Sequence, residues 1–175
     1  PTPAKRLTDL FLVIGQSNAV GWGQGAPTIT SVANAYEVDY ASGTNALLPL
    51  RFPTGRGSGT AYHSHDYGFG LALAKRWTSL RQDVVLVFAA IPGSALVEAA
   101  DNGSAGDWTD VVDNDGLYSA AVTRLNNAKA TINADPQRTL GKVMVVWHQG
   151  ETDGLHPVSK QSYQTHLEAL HQRLR

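Results

Sequence analysis

Three short stretches carry side chains suited to acyl chemistry: Gly15-Gln16-Ser17-Asn18, Pro92-Gly93-Ser94 and Gln149-Gly150-Glu151. A serine hydroxyl is a poor nucleophile until a base takes its proton. Acyl transfer also needs donors aimed at the oxygen on which negative charge develops. Ser17 offers a hydroxyl and a backbone N–H. Gly93 offers an N–H that a substrate oxygen can approach, because no Cβ stands in the way. Gln149 offers a neutral amide that donates without adding a charge. Taken singly, each stretch matches an ordinary turn of small polar residues, and Glu151 matches a capping carboxylate. Their placement links them.

Each stretch ends an apolar run: Leu10–Ile14, Asp83–Ile91 and Lys142–Trp147. Short runs without alternation suit strands buried on both faces. The intervening segments have helical spacing. Gly68–Leu80 places Phe69, Leu73, Trp77 and Leu80 on one face. Leu117–Ala134 aligns Leu117, Ala121, Leu125, Ala128 and Ile132 before the stop at Asp135-Pro136. A last helix opens at Pro157 and Ser159, with Tyr163, Leu167, Leu170 and Leu174 on its buried side. Ala35–Tyr40 alternates weakly and reads as a short edge strand. Ala41–Thr60 has loop composition and reads as one long irregular segment. Strand–helix alternation predicts an α/β three-layer sandwich, a parallel sheet with helices on both faces. Right-handed crossovers then bring the three strand ends to one edge, where open α/β sheets hold their ligands. Ser17, Gly93 and Gln149 are expected to meet there.

The chain has 175 residues, enough for one domain, with 42% apolar residues and a formal net charge of -1. Its 14 basic residues are scattered, so neither nucleic acid nor a membrane surface is expected as partner. The lack of Cys removes disulfides, Cys-ligated metal and a Cys nucleophile. No cofactor is expected. The sequence leaves the oligomeric state open. It leaves the compartment open too, with a secreted or extracellular one slightly favoured.

GQSNAVGWG, IPGSAL and WHQGETD resemble the first three blocks of the SGNH hydrolases. Within them they are similar to the sialate O-acetylesterase and acetylxylan esterase branch, in which glutamine followed by Gly-Glu stands where other branches carry asparagine. HDYGFGLALAKRW, LYSAAVTRL and YQTHLEALHQRLR resemble that branch's connecting segments, so the likeness runs from about Asp9 to Arg175. It implies a flavodoxin-like sandwich and an esterase that removes O-acetyl groups from a carbohydrate through an acyl-serine. It implies Ser17 as nucleophile, an oxyanion hole of the Ser17 and Gly93 N–H groups with the Gln149 amide, and Glu151 as polar support beneath the site. The family's base is a histidine in an Asp-x-x-His block that follows a further strand. This chain ends at Arg175, directly after a helix, so the likeness implies truncation and a sheet lacking its last strand. A rival stands in Asp153-Gly154-Leu155-His156, which also reads Asp-x-x-His. There His156 would be the base and Asp153 its orienter, by triad logic.

His63, His65 and Asp66, with His148, form a conceivable metal set. Helix capping by Ser64 or Asp66 and loop histidines explain the same residues more simply, so no metal is expected. Gly21, Gly23 and Gly25 lack dinucleotide-loop spacing. Trp22 and Trp108 fall in loops near the site edge, where an aromatic face would suit a sugar ring; Trp77 and Trp147 read as core. Two other classes of function stay open. One is a non-catalytic carbohydrate-binding or structural module on the same scaffold. The other is metal-dependent hydrolysis through the His63–Asp66 segment.

Overall fold

The computed structural model describes residues 4–21, 28–55, 68–81, 83–101, 103, 105–109 and 116–175. Its elements run β1 (Arg6–Gly15), α1 (Ser17–Val20), β2 (Ser31–Val38), β3 (Leu47–Arg51), α2 (Gly70–Thr78), β4 (Asp83–Phe88), a 3-10 turn at Glu98–Ala100, α3 (Leu117–Ala134), β5 (Arg138–His148), α4 (Glu151–Leu155) and α5 (Lys160–Arg173). They form a sheet in the order β3-β2-β4-β1-β5. The β1, β2, β4 and β5 strands pair in parallel, and β3 runs antiparallel to β2. The result is the expected α/β sandwich, mostly parallel, with one antiparallel strand at its edge.

Two of the three apolar runs, in β1 and β4, lie at the centre because both faces of the sheet are covered there. The third, Lys142–Trp147, falls in β5 at the edge of the sheet, with Val143 39% and Val145 40% exposed, so it is not the doubly buried strand expected. Successive residues of a strand point to opposite faces. Leu10, Leu12, Ile14, Val85 and Val87 therefore pack on one side, against Leu117, Ala121, Leu125, Ala128 and Ile132 of α3 and Leu170 of α5. Phe11, Val13, Val84, Leu86 and Phe88 pack on the other, against Ala19, Val20, Leu71 and Ala74. The α3 stripe is the one that the spacing predicts. The α2 face is not. The helix buries Gly70, Leu71 and Ala74, while Leu80 lies beyond its end and is 60% exposed.

Two further expectations are corrected. The segment read as an edge strand is β2, which is paired on both flanks. It is not the edge because β3 forms inside the stretch read as irregular and covers its outer side. Pro49 of β3 is at home there, since an edge strand tolerates a missing N–H.

One buried charge ties the sheet to α2. Asp9 accepts the Lys142 N–H at 2.7 Å and the Trp77 indole N–H at 2.9 Å, with the Arg81 guanidinium at 3.3 Å. A carboxylate out of water needs such partners, and they sit where the β1–β5 register shifts between Thr8 and Leu10.

Candidate active site

The carboxyl ends of β1 and β5 are drawn together by Gly15. Its φ is +128°, and a Cβ there would overlap the His148 carbonyl oxygen, so this close approach needs glycine. The Gln16 N–H donates to that oxygen at 3.1 Å, and the Ile91 N–H donates to the Gly15 carbonyl at 3.0 Å. The ends of β1 and β5 and the segment after β4 thus sit side by side, as the crossover argument requires.

Ser17 is the first residue of α1 and is half-buried. Its hydroxyl makes no hydrogen bond among the described residues, and neither its N–H nor that of Gly93 is spent there. Gly93 is exposed with φ +80°. Among the described residues, a Cβ at this position would meet only the Ala105 methyl, at 3.6 Å. The positive φ, rather than crowding, is what calls for glycine.

Gln149 knits the three segments together. Its side-chain nitrogen faces the Ser94 carbonyl at 3.2 Å, Gln16 Oε1 at 3.3 Å and Asp153 Oδ2. Its side-chain oxygen and its backbone carbonyl both lie 2.9 Å from the Tyr163 hydroxyl. Thr152 adds a second tie, from its hydroxyl to Gln16 Oε1 at 2.8 Å and the Gly93 carbonyl at 3.3 Å. Glu151 is exposed and accepts from the Asn18 side-chain amide, so it braces the turn after β1.

Two expected roles are not realised in this geometry. Asp153 is buried, and its carboxylate accepts the Leu96 N–H at 2.8 Å and the Val97 N–H at 2.9 Å besides the Gln149 amide. It anchors the segment after β4 and does not orient the imidazole of His156. His156, at the C-terminal cap of α4, reaches Asp153 only through its backbone N–H, at 3.3 Å to the carbonyl. Trp108 is 1% exposed. Its indole N–H donates to the Ser94 hydroxyl at 3.0 Å, and its ring meets Trp147 edge-on at 5.6 Å. A ring held in the core has no face for a sugar, so Trp108 is packing rather than platform. Trp22, His63, His65 and Asp66 lie outside the described residues.

Sequence reasoning missed Thr152 and the polar role of Tyr163, and it gave Gln16 and Ser94 no role of their own. Gln16 and Thr152 adjoin singled-out residues, and adjacency was the only signal for them. Tyr163 read as part of an apolar helix face. Burial pushes its phenol above its ordinary pKa. The Trp147 N–H pulls the other way, and the Asp153 and Glu151 carboxylates add to the rise. Tyr163 therefore stays a donor at neutral pH.

Of the curated proteins, none matches the chain. Among solved structures, the chain is similar to a protein from Arabidopsis thaliana, with 19% identity and a TM-score of 0.66. The match covers 95% of this chain and 67% of that one. At that identity the likeness speaks for the fold. The family described as carbohydrate esterase, sialic acid-specific acetylesterase, matches residues 7–175. With nearly the whole chain matched, and with the expected strand ends meeting at one edge, this chain belongs to the sialic acid-specific acetylesterase family of carbohydrate esterases.

Proposed function

We propose that this chain is a serine esterase that removes O-acetyl groups from a carbohydrate through an acyl-serine. The observation that carries the reading is the set of unspent groups at the sheet edge, in a chain of the acetylesterase family. These are the Ser17 hydroxyl and N–H and the Gly93 N–H, none bonded among the described residues.

Ser17 Oγ attacks the acetyl carbonyl carbon as its proton passes to a histidine. The resulting oxyanion takes hydrogen bonds from the Ser17 and Gly93 N–H groups. Gln149 serves as third donor by exchanging one of its longer bonds, to Gln16 at 3.3 Å or Ser94 at 3.2 Å, for one to the oxyanion. Collapse expels the sugar oxygen, which takes the proton from the imidazolium. The same imidazole then deprotonates water for attack on the acyl-serine. The acyl carbon–Oγ bond breaks, Ser17 Oγ takes the proton back from the imidazolium, and acetate leaves. Among the described residues, His156 is the candidate base, acting without Asp153.

One observation favours the non-catalytic alternative: Asp153 is committed to Leu96, Val97 and Gln149, so a preformed Asp–His pair is missing among the described residues. Intact-mass measurement after exposure to a fluorophosphonate separates the two readings. A single adduct on the chain, lost in Ser17→Ala, supports the esterase. Retention of that adduct in His156→Ala removes His156 as base. Sugar binding with neither adduct nor acetate release supports a binding module.

A further inference from the structure

We propose that Tyr163 is a positioning residue. Its hydroxyl fixes which way the Gln149 amide points and so sets the third donor of the oxyanion hole. This rests on the esterase reading for its catalytic consequence, though not for its geometry.

The amide is held at both ends. The Tyr163 hydroxyl lies 2.9 Å from Gln149 Oε1 and 2.9 Å from the Gln149 backbone carbonyl. One phenolic hydrogen therefore folds the side chain back against its own backbone. The phenol oxygen accepts the Trp147 indole N–H at 3.3 Å, which leaves its own hydrogen free for Gln149. The ring sits over the turn that starts α4, where a Cβ on Gly150 would lie 3.5 Å from the hydroxyl. At the other end, the NH2 group faces three oxygens, on Gln16, Ser94 and Asp153. A flipped amide would set Oε1 against all three. The orientation is thus dictated by partners, and Tyr163 is the one that holds the oxygen end. Without its hydroxyl, Oε1 has no donor among the described residues. The side chain could then swing about the Asp153 contact, carrying its N–H groups away from Gln16 and Ser94, the bonds that it would exchange for one to the oxyanion. A misaligned oxyanion donor weakens binding of the transition state more than that of the ground state.

The test is Tyr163→Phe in the full 175-residue chain, which keeps the ring and deletes only the oxygen. Two readouts are taken. The first is the side-chain NH2 pair of Gln149 in a nitrogen–proton spectrum, identified by its loss in Gln149→Ala. In Tyr163→Phe this pair is expected to move toward the shifts of a free glutamine and to exchange about tenfold faster. The backbone spectrum and Tm should hold. The second is hydrolysis of p-nitrophenyl acetate, where kcat is expected to fall about tenfold at unchanged KM. An NH2 pair unchanged in shift and exchange overturns the proposal. So does an unchanged kcat, or a variant that unfolds, since the hydroxyl would then serve stability. Should the unaltered chain neither turn over the ester nor take a fluorophosphonate, the esterase reading fails by itself. The NH2 readout then still decides what Tyr163 holds.

Discussion

Removing the Asp153 carboxylate should damage stability before anything else. It accepts two backbone donors, Leu96 N–H at 2.8 Å and Val97 N–H at 2.9 Å, on residues that are 0% and 6% exposed. A hydrogen bond to a charged group contributes about 1.5–3 kcal/mol net, and a buried donor left unpaired costs about 1–3 kcal/mol. Two donors lost together in Asp153→Ala therefore suggest about 3–6 kcal/mol. Returning a buried carboxylate to water in the unfolded chain is no longer gained, which offsets part of this. The net expectation is about 3 kcal/mol. Asp153→Asn keeps the shape and one acceptor, so about half of that is expected. Against a typical total stability of about 5–15 kcal/mol, both losses are measurable by urea unfolding, with the slope m compared across variants. His156→Ala, at a half-buried cap, should stay within about 0.5 kcal/mol of the unaltered chain. The anchoring role is refuted if Asp153→Ala costs less than about 1 kcal/mol. It is refuted equally if Asp153→Asn and His156→Ala abolish serine labelling alike while both keep full stability, as an orienter and its base would.

Gln149→Ala should lower kcat on an acetyl ester by about 100-fold, near 3 kcal/mol of transition-state energy, and unchanged turnover would remove it from the oxyanion hole. Gly15→Ala should cost at least about 3 kcal/mol in denaturant unfolding, because it adds a positive-φ penalty to overlap with the His148 carbonyl. Trp108→Phe keeps an aromatic ring but leaves the buried Ser94 hydroxyl without the indole N–H. A loss of about 1–2 kcal/mol is expected, and no loss would show that bond to be idle. Burial raises the phenols of Tyr40 and Tyr163 above the ordinary value, Arg124 opposing the shift at Tyr40 and Trp147 at Tyr163. Above about pH 10 the unfolded chain has lost protons that the folded chain keeps. Their stabilisation is therefore complete below that pH and is lost as pH rises through the folded values. Tm should fall on the alkaline side, and less steeply in Tyr40→Phe; equal slopes would contradict the assignment.

The sequence by itself determined the central strands, because runs such as Leu10–Ile14 and Val84–Phe88 are apolar at every second and every intervening position, which only a strand covered on both faces tolerates. It determined the α3 stripe for a similar reason: a period of 3.6 over 18 residues has one solution. It also determined that Ser17, Gly93 and Gln149 share an edge, since parallel pairing with right-handed crossovers brings like ends of strands together. The tertiary structure alone decided the rest. β3 exists because the flank of β2 offers it partners, and its five residues have too weak a pattern to declare a strand unaided. Trp108 is core rather than platform because Ser94 and Trp147, far apart in the chain, close over it. Asp153 faces Leu96 and Val97 rather than His156 because the segment after β4 brings two backbone donors to it. A short motif such as Asp-x-x-His names two side chains, but which partner a carboxylate takes depends on the donors that the fold delivers, and those come from residues more than 50 positions away.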